Sequence, residues 1–349
     1  MNGVEQMKKA RLILIMLGAA FMISGAQEKE TPRFATYQEM RAHVGKLYKE
    51  KKYDEAVAIL EGALKQFPDH VHANTYNLAL MYVQVGDPEK AWEALEYGLE
   101  RGVWYGKYDF ANKMWESLRE LEGFSAFERK NEGRRKEAQK AVERKLEVFM
   151  PENQVRGEKY PLFIALHGGG ENIEGFIPEW TSPLLKKEFI VAYPQSSQII
   201  TMNGYNWTED MELTKKEIGE VYEKVVEKFP VDTSRVIIGG FSSGGVASLE
   251  VVLDNTIPAV GFVALCPAKP EDFTADRVRA SKERGIRGTL ITTEMDNRLP
   301  DQKAMAEIMK AQGLEHKFIV TPNIGHWYPE NLAGMIDAAI AHIMGTSHK

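Results

Sequence analysis

The sequence predicts an α/β fold, a mostly parallel sheet flanked by helices, preceded by a small all-α helical-repeat domain. Three observations predict it. From about residue 145, short apolar runs ("LEVFM", "LFIAL", "FIVAY", "RVIIG", "GFVAL", "TLITT", "KFIVT") are each followed by turn residues and an amphipathic stretch. Continuous apolar strands alternating with helices describe a sheet covered on both faces. Residues 31–125 carry no such runs and are rich in Ala, Leu, Glu, Lys and Tyr. The 349 residues, 44% hydrophobic and 27% charged, leave room for about two domains.

Residues 1–26 read as a cleavable signal peptide. Lys8, Lys9 and Arg11 precede the apolar run Leu12–Ile23, and the small residues Ser24, Gly25 and Ala26 follow. The run is short for a bilayer span. The expectation is export to a periplasmic or extracellular space after cleavage near Ala26. The formal charge of −6 shows no basic excess, which argues against a nucleic-acid partner. The single cysteine, Cys266, excludes an internal disulfide and zinc sites built on paired cysteines.

Within 31–125 one pattern recurs. Tyr53, Ala56, Leu60, Ala63 and Pro68 are followed by Tyr82, Gly86, Ala91, Leu95 and Gly98, with Ala56 and Ala91 35 residues apart. Small residues at fixed places let two helices of a hairpin approach closely. The segment resembles tetratricopeptide repeats. Such repeats offer a groove for a protein or peptide partner, or pack on the neighbouring domain. Residues 126–144 are densely charged and read as a solvated helical linker.

Residues 145–344 form the candidate catalytic domain. In sheets of this kind, ligands bind beyond the carboxyl ends of the strands. Ser242 meets that condition: it follows "RVIIGG" inside Gly240-Phe241-Ser242-Ser243-Gly244, with a helix expected from near Val246. A G-x-S-x-G turn between strand and helix lifts its serine above the sheet. A serine needs a base. Of the eight histidines, His326 alone combines a place just past the last strand with a loop setting, in "FIVTPNIGHWYP". An acid must orient that base. "TTEMDNRLPDQ" offers Glu294, Asp296 and Asp301. Asp296 is the choice, with Glu294 as competitor. "ALHGGGEN" ends another strand and can turn backbone N–H groups toward the serine. Gly169 and Ser243 are the expected oxyanion donors, with Gly170 as a further candidate.

These motifs together resemble the α/β-hydrolase superfamily, and within it the phospholipase/carboxylesterase and dienelactone-hydrolase-like branch. The chain order Ser242, Asp296, His326 is the order expected there. One position departs from the family pattern: Thr293 stands where glycine is usual three residues before the acid. The resemblance implies a metal-free serine esterase, without a cofactor, working through an acyl-enzyme on a small or medium ester. Trp207, in the insertion at 198–212, and Trp327, beside the base, are the expected substrate-binding walls, with Tyr205 and Tyr328 near them. Two other readings share these residues: a peptidase on the same fold, and a non-enzymatic repeat-based binding protein on a decayed hydrolase scaffold.

Overall fold

The computed structural model describes residues 32–345, so the expected signal peptide lies outside the described residues. Among the described residues no helix is long and apolar enough to cross a membrane. Two helical hairpins come first: α1 (Tyr37–Lys49) with α2 (Tyr53–Gln66), and α3 (Val71–Val85) with α4 (Pro88–Glu100). Ala56 and Ala91, 35 residues apart in sequence, are both fully buried where their hairpins close. Thr36 and Asp87 cap α1 and α4 by accepting from backbone N–H groups three residues on. α5 (Glu116–Arg119) and α6 (Phe124–Lys140) complete the helical part. Its core runs from Met40 through Leu60, Leu78 and Leu95 to an aromatic cluster of Tyr105, Phe110, Trp115, Phe124 and Phe127.

The charged stretch expected at 126–144 falls largely in α6, which also packs inward. Phe124 and Phe127 are buried in the repeat core. The Asn131 side chain accepts from the Tyr105 N–H (2.7 Å) and donates to the Tyr105 carbonyl (3.0 Å). These residues lie on one helix face. The charge run occupies the remaining faces, and the boundary expected at 125/126 falls inside α6.

The sheet follows: β1 (Leu146–Phe149), β2 (Tyr160–Leu166), α7 (Ile173–Glu179), α8 (Pro183–Glu188), β3 (Ile190–Pro194), a small hairpin β4 (Gln198–Thr201) and β5 (Gly204–Asn206), α9 (Met211–Lys228), β6 (Val231–Phe241), α10 (Ser243–Leu253), β7 (Gly261–Leu265), α11 (Ala275–Glu283), β8 (Arg287–Thr293), α12 (Leu299–Ala311), β9 (Glu315–Thr321) and α13 (Leu332–Met344). The seven-stranded order is β1-β3-β2-β6-β7-β8-β9. Only β1 runs antiparallel to its neighbour. One apolar core lies on each face of the sheet. β3 lies on one side of β2 and β6 on the other, so the chain reverses its direction of travel across the sheet there. A crevice opens beyond the carboxyl ends of the strands at such a point.

The hairpin β4–β5 is the junction of the two parts. Ile199 exchanges hydrogen bonds with α6: its N–H donates to Gln139 Oε1 (3.0 Å) and its carbonyl accepts from Arg135 (3.1 Å). Gln139 also donates to the Ser197 carbonyl (2.6 Å), and Met202 packs into the repeat core.

Ala91→Leu adds methylenes at a closed helix crossing. We expect it to destabilise the helical part by about 1–3 kcal/mol. The check is the urea midpoint followed by far-UV circular dichroism.

Candidate active site

Ser242 sits between β6 and α10 at φ 53°, ψ −112°, a conformation that few side-chain-bearing residues adopt. Its N–H donates to the Leu265 carbonyl (2.8 Å), and α10 begins one residue later, at Ser243 rather than near Val246. The flanking glycines are explained by close approach. A Cβ on Gly240 would stand 2.5 Å from the Leu166 carbonyl oxygen, and one on Gly244 would collide with the carbonyls of Leu166 and His167. All eleven residues of α10 are buried, so the elbow leads into a helix packed on every side.

The ends of β8 and β9 bring two further side chains to this serine. His326 Nε2 lies 2.9 Å from Ser242 Oγ, and His326 Nδ1 lies 2.9 Å from Asp296 Oδ2. Asp296 is buried, and its other hydrogen bonds come from the Arg298 N–H (2.9 Å, to Oδ1) and Gln302 Nε2 (3.2 Å, to Oδ2). Burial works to raise its pKa, but these bonds and His326 outweigh it and hold the carboxyl below the usual range. An ionised carboxylate only accepts, so Nδ1 carries the proton and Nε2 is left to accept from the serine hydroxyl. Glu294 does not reach His326. It is exposed, and its carboxylate accepts from the Asn323 N–H (3.0 Å). Thr293, where glycine was expected, donates its hydroxyl to the Gly325 carbonyl (2.7 Å) and so ties the acid strand to the histidine loop. Met295 N–H reinforces that tie through the Ile324 carbonyl (2.9 Å).

Gly169 and Ser243 line the same cleft as Ser242 and His326, a space of about 740 Å³. Among the described residues neither backbone N–H has a partner. Gly170 differs: its N–H is taken by the Tyr205 carbonyl (2.9 Å). The glycine loop is braced from below. Gly168 N–H donates to Glu171 Oε2 (2.7 Å), and Tyr328 donates to the same carboxylate (2.8 Å). His167 is fully buried, which pushes its pKa down to about 4 against a partly offsetting hydrogen bond to the Gly168 carbonyl. The neutral ring donates from Nδ1 to that carbonyl (2.8 Å) and accepts from Ser196 N–H at Nε2 (3.3 Å).

Neither tryptophan lines the cleft. Trp207 is 1% exposed and its ring lies tilted against His167 in the core beneath the loop. Its neighbours Asn206 and Thr208 face the cleft instead. Alternation along extended chain puts 206 and 208 on one side and 207 on the other. Trp327 is 62% exposed and rests edge-on against Phe241 and Tyr328. Tyr328 is buried on Glu171.

Two cleft residues carried no sequence signal. Arg298 reaches over His326. Tyr108 comes from the helical part, 55% exposed, and donates to Glu209 Oε1 (2.8 Å). Lys107 pairs with the other oxygen (2.5 Å), and Glu209 also accepts from Asn206 (2.9 Å). Burial opposes the Glu209 charge, but these three partners hold its carboxyl below the usual range. Cys266, Asp296 and His326 present ligand atoms within 4.8 Å of one another. Burial pushes the Cys266 thiol up to about 12, so it stays protonated, and the Asp296–His326 hydrogen bond already uses the other two groups.

His167 makes stability pH-dependent with a defined sign. Its folded pKa lies below the unfolded value of about 6.5, so its contribution is complete above pH ~6.5 and is lost as pH falls toward 4. The loss is on the order of 3 kcal/mol. Urea midpoints measured across that window should fall less steeply for His167→Gln than for the native chain; parallel slopes would count against the neutral buried ring.

A 28% identical structure, an uncharacterised protein from Bacillus cereus ATCC 10987, covers 89% of this chain and 100% of its own, with a TM-score of 0.51. A ferulic acid esterase (17% identity, 59% of this chain and 94% of that one, TM-score 0.49) and the S-formylglutathione hydrolase FrmB of Staphylococcus aureus (15%, 57% and 92%, 0.44) are also similar in structure. No curated protein matches the chain. Residues 47–101 match the tetratricopeptide repeat. With its parallel sheet, its serine elbow and residues 153–331 matching the phospholipase/carboxylesterase family, the chain belongs to that family of α/β-hydrolases and is an ester-hydrolysing serine hydrolase.

Proposed function

We propose that Ser242, His326 and Asp296 are the catalytic triad of this enzyme and that it cleaves carboxylic esters through an acyl-enzyme. The observation that carries the proposal is the unbroken chain Asp296–His326–Ser242 at 2.9 Å per link. Ser242 Oγ attacks the ester carbonyl carbon while its proton passes to His326 Nε2. The carbonyl electrons move onto oxygen, where the free N–H groups of Gly169 and Ser243 receive the charge. As the tetrahedral centre collapses, the ester C–O bond breaks and the imidazolium gives its proton to the leaving alkoxide. Water, deprotonated by the same nitrogen, then releases the acid. Asp296 holds the Nδ1–H tautomer and stabilises the imidazolium throughout.

The basic start and apolar run at residues 8–23 support export of this hydrolase to a periplasmic or extracellular space. Cell fractionation should find the shortened chain outside the cytosol; full-length chain in the cytosol would count against export. The repeats support a protein or peptide partner.

Ser242→Ala should abolish fluorophosphonate labelling and ester turnover, and labelling at Ser243 instead would overturn the assignment. Asp296→Asn should lower kcat by about 10³–10⁴, because an amide favours the wrong tautomer. Glu294→Gln should cost under about tenfold. The comparison is steady-state hydrolysis of a p-nitrophenyl ester by the three variants.

A further inference from the structure

Arg298 leaves the acid loop two residues after Asp296. Its own N–H is spent on Asp296 Oδ1, and its side chain turns back over the imidazole. Nη1 lies 2.8 Å from His326 Nε2, 3.1 Å from Nδ1 and 3.5 Å from Ser242 Oγ. Nδ1 carries the proton held by Asp296, so on the ring only Nε2 accepts. That lone pair lies in the ring plane and faces Ser242 Oγ, whereas Nη1, within reach of both ring nitrogens, stands over the face of the imidazole. The group is half-buried and permanently charged, with five N–H donors in a planar fork.

Among the described residues no carboxylate pairs with this guanidinium. The acids that line the same cleft are placed otherwise. Glu250 is paired with Arg277 (2.8 Å), Glu212 with Lys215 (2.8 Å), and Glu271 and Asp272 are exposed on the loop after β7. Within 3.5 Å of Ser242 Oγ there is thus a guanidinium with no carboxylate in contact among the described residues, and its N–H donors are open to an anionic acceptor from outside the protein.

We propose that Arg298 is a specificity-determining residue that receives a carboxylate carried on the acyl part of the substrate, so that half-esters of short dicarboxylic acids are preferred over neutral esters. This rests on the reading of Ser242, His326 and Asp296 given above. A carboxylate matches the guanidinium fork with two parallel hydrogen bonds. The distance from Nη1 to Oγ places that carboxylate near the ester carbonyl, as the short chain of a succinyl or glutaryl group does. Binding it gives Nη1 an anionic acceptor in place of its contact over the imidazole face. The acyl transfer itself is unchanged: the same bond forms to Ser242, and the same alkoxide leaves with its proton.

The test compares 4-nitrophenyl hydrogen glutarate with its methyl ester, identical in acyl length and differing in one charge. The expected ratio of kcat/KM for the native enzyme favours the anion by tenfold or more, and it shrinks in 1 M salt. Arg298→Met should bring the ratio close to one, with Arg298→Lys between. A ratio cancels any general loss of activity or folded fraction. Equal turnover of the two esters by an enzyme that fluorophosphonate labels at Ser242, or a preference that survives Arg298→Met, overturns this proposal alone. Turnover of neither ester, with no adduct on Ser242, overturns the triad reading as well.

Discussion

The strained turn at Ser242 is the constraint on which the rest of the site depends. A left-handed φ on a residue with a side chain costs on the order of 1–3 kcal/mol and persists only where its surroundings over-determine it. Here they do. The Ser242 N–H is held by Leu265 on β7, the carbonyl of Leu166 on β2 comes within contact of both flanking glycines, and α10 is buried along its whole length. Three central strands thus hold the turn that carries one hydroxyl, and the other groups of the site are arranged around it.

Asp296 and His326 reach that turn from beyond the ends of β8 and β9, and their loops are fastened to each other before either touches the serine. Thr293 to Gly325 and Met295 to Ile324 join the two strand ends, and Glu294 closes the same seam through Asn323. Two loops that would otherwise sample many geometries are thereby made one unit. Glu294 and Asp296 divide the work by position: one fastens the seam at the surface, the other is buried under the imidazole.

Much of this was legible in the sequence because strand ends are punctuated. An apolar run that stops at glycine, or at a polar loop after "TT" or "VT", marks where a side chain can stand above a parallel sheet. Ser242, His326, Asp296 and Gly169 all sit at such stops, and the structure brings them together. What sequence could not give was direction. Trp207 looked like a wall because it is large and lies in a polar insertion, but the side it faces depends on the register of β5, which periodicity over three residues does not fix. Arg298 gave no signal, since one charged residue in a loop has no pattern. Tyr108 lies 134 positions before Ser242, and no local rule connects them. α6 was obscured by its own charge density: three inward residues spread over about two turns of a highly charged helix read as surface.

The bond between Glu209 and the pair Lys107 and Tyr108 bears on what counts as the smallest working unit. Sequence similarity divides this protein near residue 150, yet part of the cleft wall is built on the other side of that line. A fragment starting at β1 would uncover Ile199, Ile200 and Met202, strand-edge residues that now rest on α6 and the repeats. It would also leave the Glu209 carboxylate without two of its three donors, and with it the anchorage of Asn206 beside Gly169. Such a fragment would be prone to self-association along an apolar hairpin and would hold its glycine loop less firmly. The repeats are therefore a structural member of the enzyme as well as an appendage to it, and excising them changes the solubility and the chemistry of what remains together.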